Sequence, residues 1–367
     1  MIIRSTDELK EICEVASKSN YIAFDTEFSR RKGKYYPIPS LIQFSFDGKN
    51  CFICDLQTHE ISFNPLIEIL VNERIIKVFH SVKQDLDVLY KAFKIKPKNI
   101  FDVQIAAMFL GKYDTPSYDV LVMDFLNEKL DKSLQFSDWF SRPLSNDQII
   151  YAAKDVIYLY RLFPEIKDLL GSQKIGWIED EMKNILNFNH ETQINSIIEK
   201  IVISNKKINH LNSKHILILE KLVRFREKFS LENDMIRERV IDTISLQEIS
   251  NKICEKGFKK SLFRNKKIFE MLKDEIEEID SIDLSRSNDI LKRCLKKREI
   301  IITRNPLIGA VRSLLKESGE RSKITASIIA TRDDIINIVL DQSITSKFAN
   351  GWRYEVFGQY VEKLFTS

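Results

Sequence analysis

Cysteine is scarce and scattered in this sequence: five residues in 367, at positions 13, 51, 54, 254 and 294. An odd set without regular spacing excludes a disulfide framework, and the lone C-x-x-C at Cys51 and Cys54 has no second pair to complete a zinc site. That pair lies in the apolar run Cys51-Phe52-Ile53-Cys54, where three-residue spacing turns the thiols to opposite faces of a strand. Both are therefore expected to be buried thiols of a protein in a reducing compartment. No apolar run approaches membrane-spanning length and no hydrophobic signal core opens the chain, so a cytoplasmic protein with no membrane partner is expected. Tryptophan is also rare, at three residues. Without tryptophan-rich platforms or base-edge motifs, nothing predicts sequence-specific readout of a nucleic acid.

What is present describes a globular chain with ample core: 44% hydrophobic and 30% charged residues, over a length that calls for two or three domains. The formal net charge of +4 hides an asymmetry. Residues 1–170 carry 22 Lys/Arg against 24 Asp/Glu, residues 171–210 carry 5 against 5, and residues 274–367 carry 15 against 15. The excess sits in residues 211–273, with 15 against 9. A polyanionic partner and a plain solvated basic surface account for this segment equally well on charge alone.

The stretch with most chemistry is Tyr21-Ile22-Ala23-Phe24-Asp25-Thr26-Glu27-Phe28. It reads as a buried strand, and side-chain alternation puts Asp25 and Glu27 on one face, where they can share a metal ion. Burying two like charges is costly unless a cation neutralises them. The next segment, Ser29 to Pro37, is basic and aromatic; beside a carboxylate site it could hold phosphates, with Tyr35 or Tyr36 meeting a base, or it is a solvated connection. Leu41–Phe46 and Cys51–Cys54 flank Asp47-Gly48-Lys49-Asn50 as a hairpin, so three antiparallel strands should begin the sheet.

A helix near 64–72, a strand at 75–80 and a helix at about 82–93 follow. On that last helix Val82, Leu86, Leu89 and Phe93 form the apolar stripe. At roughly 100° per residue, Asp85 borders the stripe, about 70° from its centre, and Asp87 lies about 130° away. Asp85 should look inward and Asp87 outward. Helices are expected at 104–110 and 117–128, and then a long one capped by Ser145 with Gln148 completing a capping box, ended or bent by Pro164. On it Tyr151 and Asp155, four residues apart, share a face; their spacing alone equally describes an ordinary amphipathic helix. Residues 171–205 read as a polar helical connector, and no strand pattern recurs beyond 210.

Six blocks, Asp25-Thr26-Glu27-Phe28, Tyr35-Tyr36-Pro37, Leu41-Ile42-Gln43, His80 to Leu86, Leu130-Asp131-Lys132-Ser133 and Tyr151 to Val156, stand in an order that resembles the ribonuclease D family. That family belongs to the DEDD exonucleases, in the subclass with a tyrosine four residues before the last aspartate. Leu222 to Glu227 resembles an HRDC module, and the block from Gly351 to Gly358 resembles the end of a second one. The resemblance implies an α/β ribonuclease-H-like exonuclease domain over 1–170, a mixed sheet flanked by helices. A helical connector (171–209) and two all-α HRDC-like domains (210–280 and 281–367) follow. It implies a 3′→5′ exoribonuclease acting on tRNA precursors or other structured RNA with a 3′ tail, and working as a monomer. Asp25, Glu27, Asp85 and Asp155 are the implied metal ligands, with Asp25 bridging two ions and Asp85 reaching the second. Oxygen-only ligands suit Mg²⁺ or Mn²⁺. Tyr151 is expected to orient the attacking water, because a phenol near its ordinary pKa of about 10 is mostly neutral. Gln43 and His80 are expected to contact the terminal nucleotide, or to be satisfied core polar residues. Two rivals remain at this stage: a DNA-directed DEDD exonuclease, and a catalytically silent RNA-binding module that keeps the fold.

Overall fold

A computed structural model describes residues 1–30, 33–58, 60–187, 190–263, 265–277 and 283–366. Arg31 and Lys32 of the basic segment, the end of the acidic run at Glu278, and positions 280–282 of the Ser/Asp-rich junction lie outside the described residues.

The sheet grows from the alternating apolar runs. Strands β1 (Tyr21–Ser29), β2 (Ile38–Ser45) and β3 (Phe52–Asp55) pair antiparallel in sequence order, and β4 (Ile76–Phe79) and β5 (Ile100–Asp102) add parallel on the other side, giving the order β3-β2-β1-β4-β5. The three antiparallel strands and the hairpin are as expected; Asp47 Oδ1 accepts the Lys49 and Asn50 backbone N–H groups at 2.9 and 2.8 Å. The central strand is the one that carries Asp25 and Glu27. β5, three residues long, is too short for any periodicity to reveal.

Helices α1 (Thr6–Ala16), α2 (Asn64–Val71), α3 (Lys83–Phe93), α4 (Val103–Met108) and α5 (Tyr118–Leu126) surround the sheet. Helix α6 (Asn146–Leu186) packs against β1, β2, β4 and β5 and begins with the capping box: Gln148 N–H to Ser145 Oγ at 3.2 Å, and Ser145 N–H to Gln148 Oε1 at 3.0 Å. Pro164 does not end it. The helical course runs on to Gly171, where φ of 68° breaks it. The lost hydrogen bond and ring clash at a mid-helix proline cost about 3 kcal/mol, offset here by burial of Leu162, Phe163, Ile166 and Leu170 in the core.

Beyond this the described chain is helical: α7 (His190–Ser204), α8 (Ser213–Glu232), α9 (Arg237–Val240), α10 (Thr243–Lys256), α11 (Lys266–Glu277), α12 (Ser285–Thr303), α13 (Pro306–Ser322), α14 (Ala326–Ile329) and α15 (Arg332–Asp341), with a final helical segment from 351 to 366. Apolar burial separates this half into two bodies. Ile198, Ile201 and Val202 of α7 join α8, α10, α11 and the first half of α12 in one core. Ile300 at the end of α12, and everything buried after it, belong to the same core as the sheet. The last helical unit is thus packed on the α/β unit, through Trp352 against Phe109 and Trp177.

The Gly351-Trp352-Arg353 block has a mechanical reason to exist. Arg353 forms a bidentate pair with Glu181 of α6, with Nη2 to Oε2 at 2.8 Å, and also donates to the carbonyls of Ile328 and Ile329 at 3.0 Å each. Trp352 Nε1 donates to the same Glu181 at 3.0 Å. Glu181 and Arg353 are both 9% exposed, so the pair is sheltered from water. Glu181→Ala leaves a buried guanidinium without its counter-charge and is expected to cost about 3–5 kcal/mol in urea unfolding. A loss within experimental error of zero would show the pair to be hydrated and dispensable.

Candidate active site

Strand alternation and one helix build the site. Asp25 and Glu27 leave β1 on the same face, and Asp155 comes from α6, which crosses that face. One carboxylate oxygen from each lies within 4.8 Å of the other two. Glu27 is buried, while Asp25 and Asp155 are half-buried. Desolvation raises the Asp25 carboxyl to about 7. Desolvation and then the charges of Asp25, Asp155 and Asp85 raise Glu27 to about 10. Asp155 moves up for the same reasons, burial first and the Asp25 charge next. Protein atoms alone therefore do not satisfy this trio as three anions.

Asp85 sits on α3 as the stripe geometry predicts, buried at 6% exposure, while Asp87 is exposed. It stands beside the trio without joining it. Thr26, the residue between the two β1 carboxylates, donates its hydroxyl to Asp85 Oδ1 at 2.6 Å. Gln43, opposite Asp25 in the β1–β2 ladder, donates Nε2 to Asp25 Oδ2 at 2.9 Å, and its buried Oε1 has no hydrogen-bond partner.

A cleft of about 700 Å³ opens beside Asp155 and Tyr151, lined among others by His80, Tyr118, Lys132, Leu134 and Lys154. Tyr151 packs its ring on Trp139, with centroids 5.9 Å apart. Burial, then the charges of Asp155, Glu27 and Asp25, push its phenol well above the ordinary range. Both causes favour the neutral phenol over the phenolate. His80 reaches the cleft and holds Nε2 3.1 Å from the Pro116 carbonyl; burial lowers its pKa.

Tyr35 and Tyr36 are not among the cleft-lining residues. Both are engaged by the middle helical body instead. Asp234, just after α8, accepts the Tyr36 backbone N–H at 3.0 Å and the Lys91 ammonium at 2.7 Å. Arg237 lies 5.3 Å from the Tyr35 ring centroid and donates to its hydroxyl at 3.4 Å. Gly33, at φ 99°, lets Arg239 pack so close that a Cβ there would overlap the guanidinium. An aromatic pair beside basic residues reads as a base platform in sequence; in the structure the Tyr35 ring meets Arg237 of the joint, and Tyr36 gives the joint its backbone N–H while its ring lies against Tyr90.

Two positioning groups escaped the sequence reading. Asp102, at the end of β5, accepts from the backbone N–H groups of Ser81 and Val82 at 3.0 and 2.9 Å, and from Gln104 at 2.9 Å. It thereby fixes the turn that launches α3 and its Asp85. Tyr118 donates its hydroxyl to the Asp155 carbonyl at 2.6 Å, pinning α6 where Asp155 meets the other two carboxylates. Neither has a local signal, since each acts on a segment distant in sequence.

Residues 1–171 match the family described as 3′-5′ exonuclease, which defines the class of the α/β unit. The similarity extends over the rest of the chain as well. Ribonuclease D of Zymomonas mobilis subsp. mobilis is 31% identical over 98% of this chain and 92% of its own length. That of Bartonella henselae is 30% identical over 99% and 89%. The crystal structure of Escherichia coli RNase D superposes with a TM-score of 0.74 at 23% identity, covering 100% of this chain and 98% of that one. The chain belongs to the ribonuclease D family and is a 3′→5′ exoribonuclease. Its all-helical remainder agrees with HRDC-like units. The fold and the acidic trio together point to divalent metal use, and the donor set fits: hard oxygens only, crowded and desolvated, with a cation as the natural compensation. Among the described residues no helix is long and apolar enough to cross a membrane.

The trio makes the metal-free protein sensitive to pH. In the folded chain Asp25 and Glu27 keep protons that the unfolded chain releases near pH 4, so the native state binds more protons across the window from about 4 up through 7 and on toward 10. In EDTA the melting temperature should fall as pH rises through that window, and Asp25→Asn should flatten the fall. An equally steep fall in that variant would place the titrating groups elsewhere.

Proposed function

We propose that Asp25, Glu27 and Asp155 hold divalent cations, two per site and either Mg²⁺ or Mn²⁺, with Asp85 reaching the second. The observation that carries this reading is the convergence of three carboxylates, from β1 and α6, within 4.8 Å at the edge of the cleft. Bound there, such ions supply a water of lowered pKa and offset the charge building on the phosphate and the leaving oxygen.

The chain's own groups do the rest. Gln43 holds one oxygen of Asp25, and Thr26 holds one of Asp85, so each carboxylate enters the reaction already oriented. Tyr151, kept neutral, directs the attacking water through its hydroxyl. His80, which lines the cleft, is the group assigned to the terminal nucleotide; Gln43, fully buried, is the core polar residue that positions Asp25. Tyr35 and Tyr36 are left out of that assignment, because their partners lie in the joint.

The substrate class is structured RNA with a 3′ tail, tRNA precursors in particular. Support comes from E. coli RNase D, described as an exoribonuclease involved in structured RNA processing. We divide the chain into an exonuclease domain (1–170), a connector (171–209) whose first part packs on the sheet's core and whose α7 packs on the middle core, and HRDC-like units over 210–280 and 281–367, with the first half of α12 lent to the middle core. The exposed Lys256, Lys259, Lys266 and Lys267 of the first such unit would hold the RNA body through its phosphates. A monomer in the cytoplasm completes the proposal; the five cysteines, all free, suit a reducing compartment.

A labelled single-stranded RNA and its DNA counterpart, each with Mg²⁺, Mn²⁺ or EDTA, test the reading. Asp155→Ala should abolish hydrolysis while keeping or raising the melting temperature, because like-charge repulsion is relieved. Tyr151→Phe should keep the fold and lower turnover by roughly 10²-fold, the low end for positioned acid–base groups. Hydrolysis that persists in EDTA, or wild-type rates in either variant, would contradict it.

A further inference from the structure

Phe136 is 91% exposed, the most of any large apolar side chain among the described residues. Scattered apolar residues on a surface are ordinary and mean nothing by themselves. Here place and rigidity add two independent observations. Leu134 and Gln135, the residues immediately before it, line the cleft that contains Tyr151 and Asp155.

The loop is also fixed on both sides of the exposed ring. Gln135 N–H donates to the Lys132 carbonyl at 3.1 Å and Ser137 N–H to that of Leu134 at 3.0 Å. Gln148 of α6 donates Nε2 to both Ser137 Oγ and the Asp138 carbonyl at 3.1 Å. Trp139, three residues past Phe136, is buried and rests on the Tyr151 ring. Helix α6 therefore holds the loop through Gln148 and Tyr151, the turn that precedes Asp155. The backbone on either side of the ring is thus held in place, and the ring stands next to two residues that line the catalytic cleft.

We propose that Phe136 is a stacking platform for one base of single-stranded RNA entering the cleft, a contact that tolerates any base because each presents a π-face. It rests on the cleft being where hydrolysis occurs. Two lysines line the same cleft, Lys154 and Lys132, the latter paired with Asp119, and Lys154 suits a phosphate that accompanies such a base. Such a platform gives the strand a sequence-tolerant hold close to its reacting end.

The test uses the full chain and short oligoadenylate, intact or with a single abasic residue moved along it. Phe136→Ala removes a side chain that buries almost nothing, so the melting temperature should not change. KM should rise about 5- to 150-fold, the range of a single base–aromatic stack, with most of the effect in KM and little in kcat; Phe136→Trp should restore it. An abasic residue at one position should raise the wild-type KM by the same factor and add nothing in Phe136→Ala. An unchanged KM in Phe136→Ala, or an abasic penalty that persists undiminished in it at every position, would overturn the proposal. Asp155→Ala run alongside separates the two ideas: residual hydrolysis there would move the reaction out of the cleft whatever Phe136 does.

Discussion

Mutual repulsion among carboxylates that protein atoms have stripped of water is the constraint on which this structure turns. Asp25 and Glu27 come from the central strand, Asp155 from the long helix and Asp85 from α3, and no ammonium or guanidinium forms an ion pair with any of the four among the described residues. A fold that gathers like charges in this way gives up stability unless something cationic enters. Everything around the trio keeps it from relaxing: Gln43 and Thr26 each hold a carboxylate oxygen, Asp102 holds the turn before α3, and Tyr118 holds the backbone of Asp155.

The helical bodies attach in two different ways, and the difference bears on function. The last one shares the core of the sheet, with Arg353 and Trp352 gripping Glu181 of α6, so it is part of the catalytic scaffold. The middle body has its own core and meets the α/β unit through a polar joint centred on Asp234 and Arg237. That joint touches Lys91 on α3, the helix bearing Asp85, and the segment that follows β1, the strand bearing Asp25 and Glu27. The middle body thus has a short physical route to the carboxylates.

Much of the site was legible because local periodicity is a faithful guide where one face is buried. Alternation along β1 puts Asp25 and Glu27 together, the 100° step along α3 separates Asp85 from Asp87, and the Ser145–Gln148 box marks where the helix carrying Tyr151 and Asp155 begins. Legibility failed where a residue acts across the fold. Asp102 sits at the end of a strand too short to show a pattern, Tyr118 reaches a backbone carbonyl 37 positions away, and the Tyr35 hydroxyl and the Tyr36 backbone N–H meet partners about two hundred positions downstream. Pro164 misleads for a related reason: tertiary burial on both sides carries the helix past it, and the break waits for Gly171.

The most direct test of the central claim is calorimetric titration of the full chain with Mg²⁺ or Mn²⁺ near neutral pH, in buffers of different ionisation enthalpy. The account predicts saturable binding that releases protons to the buffer, because cations displace the protons that desolvation places on the carboxyls, and it predicts that Asp25→Asn both weakens the binding and reduces the protons released. Binding with no proton displaced, or undiminished binding in Asp25→Asn, would contradict it.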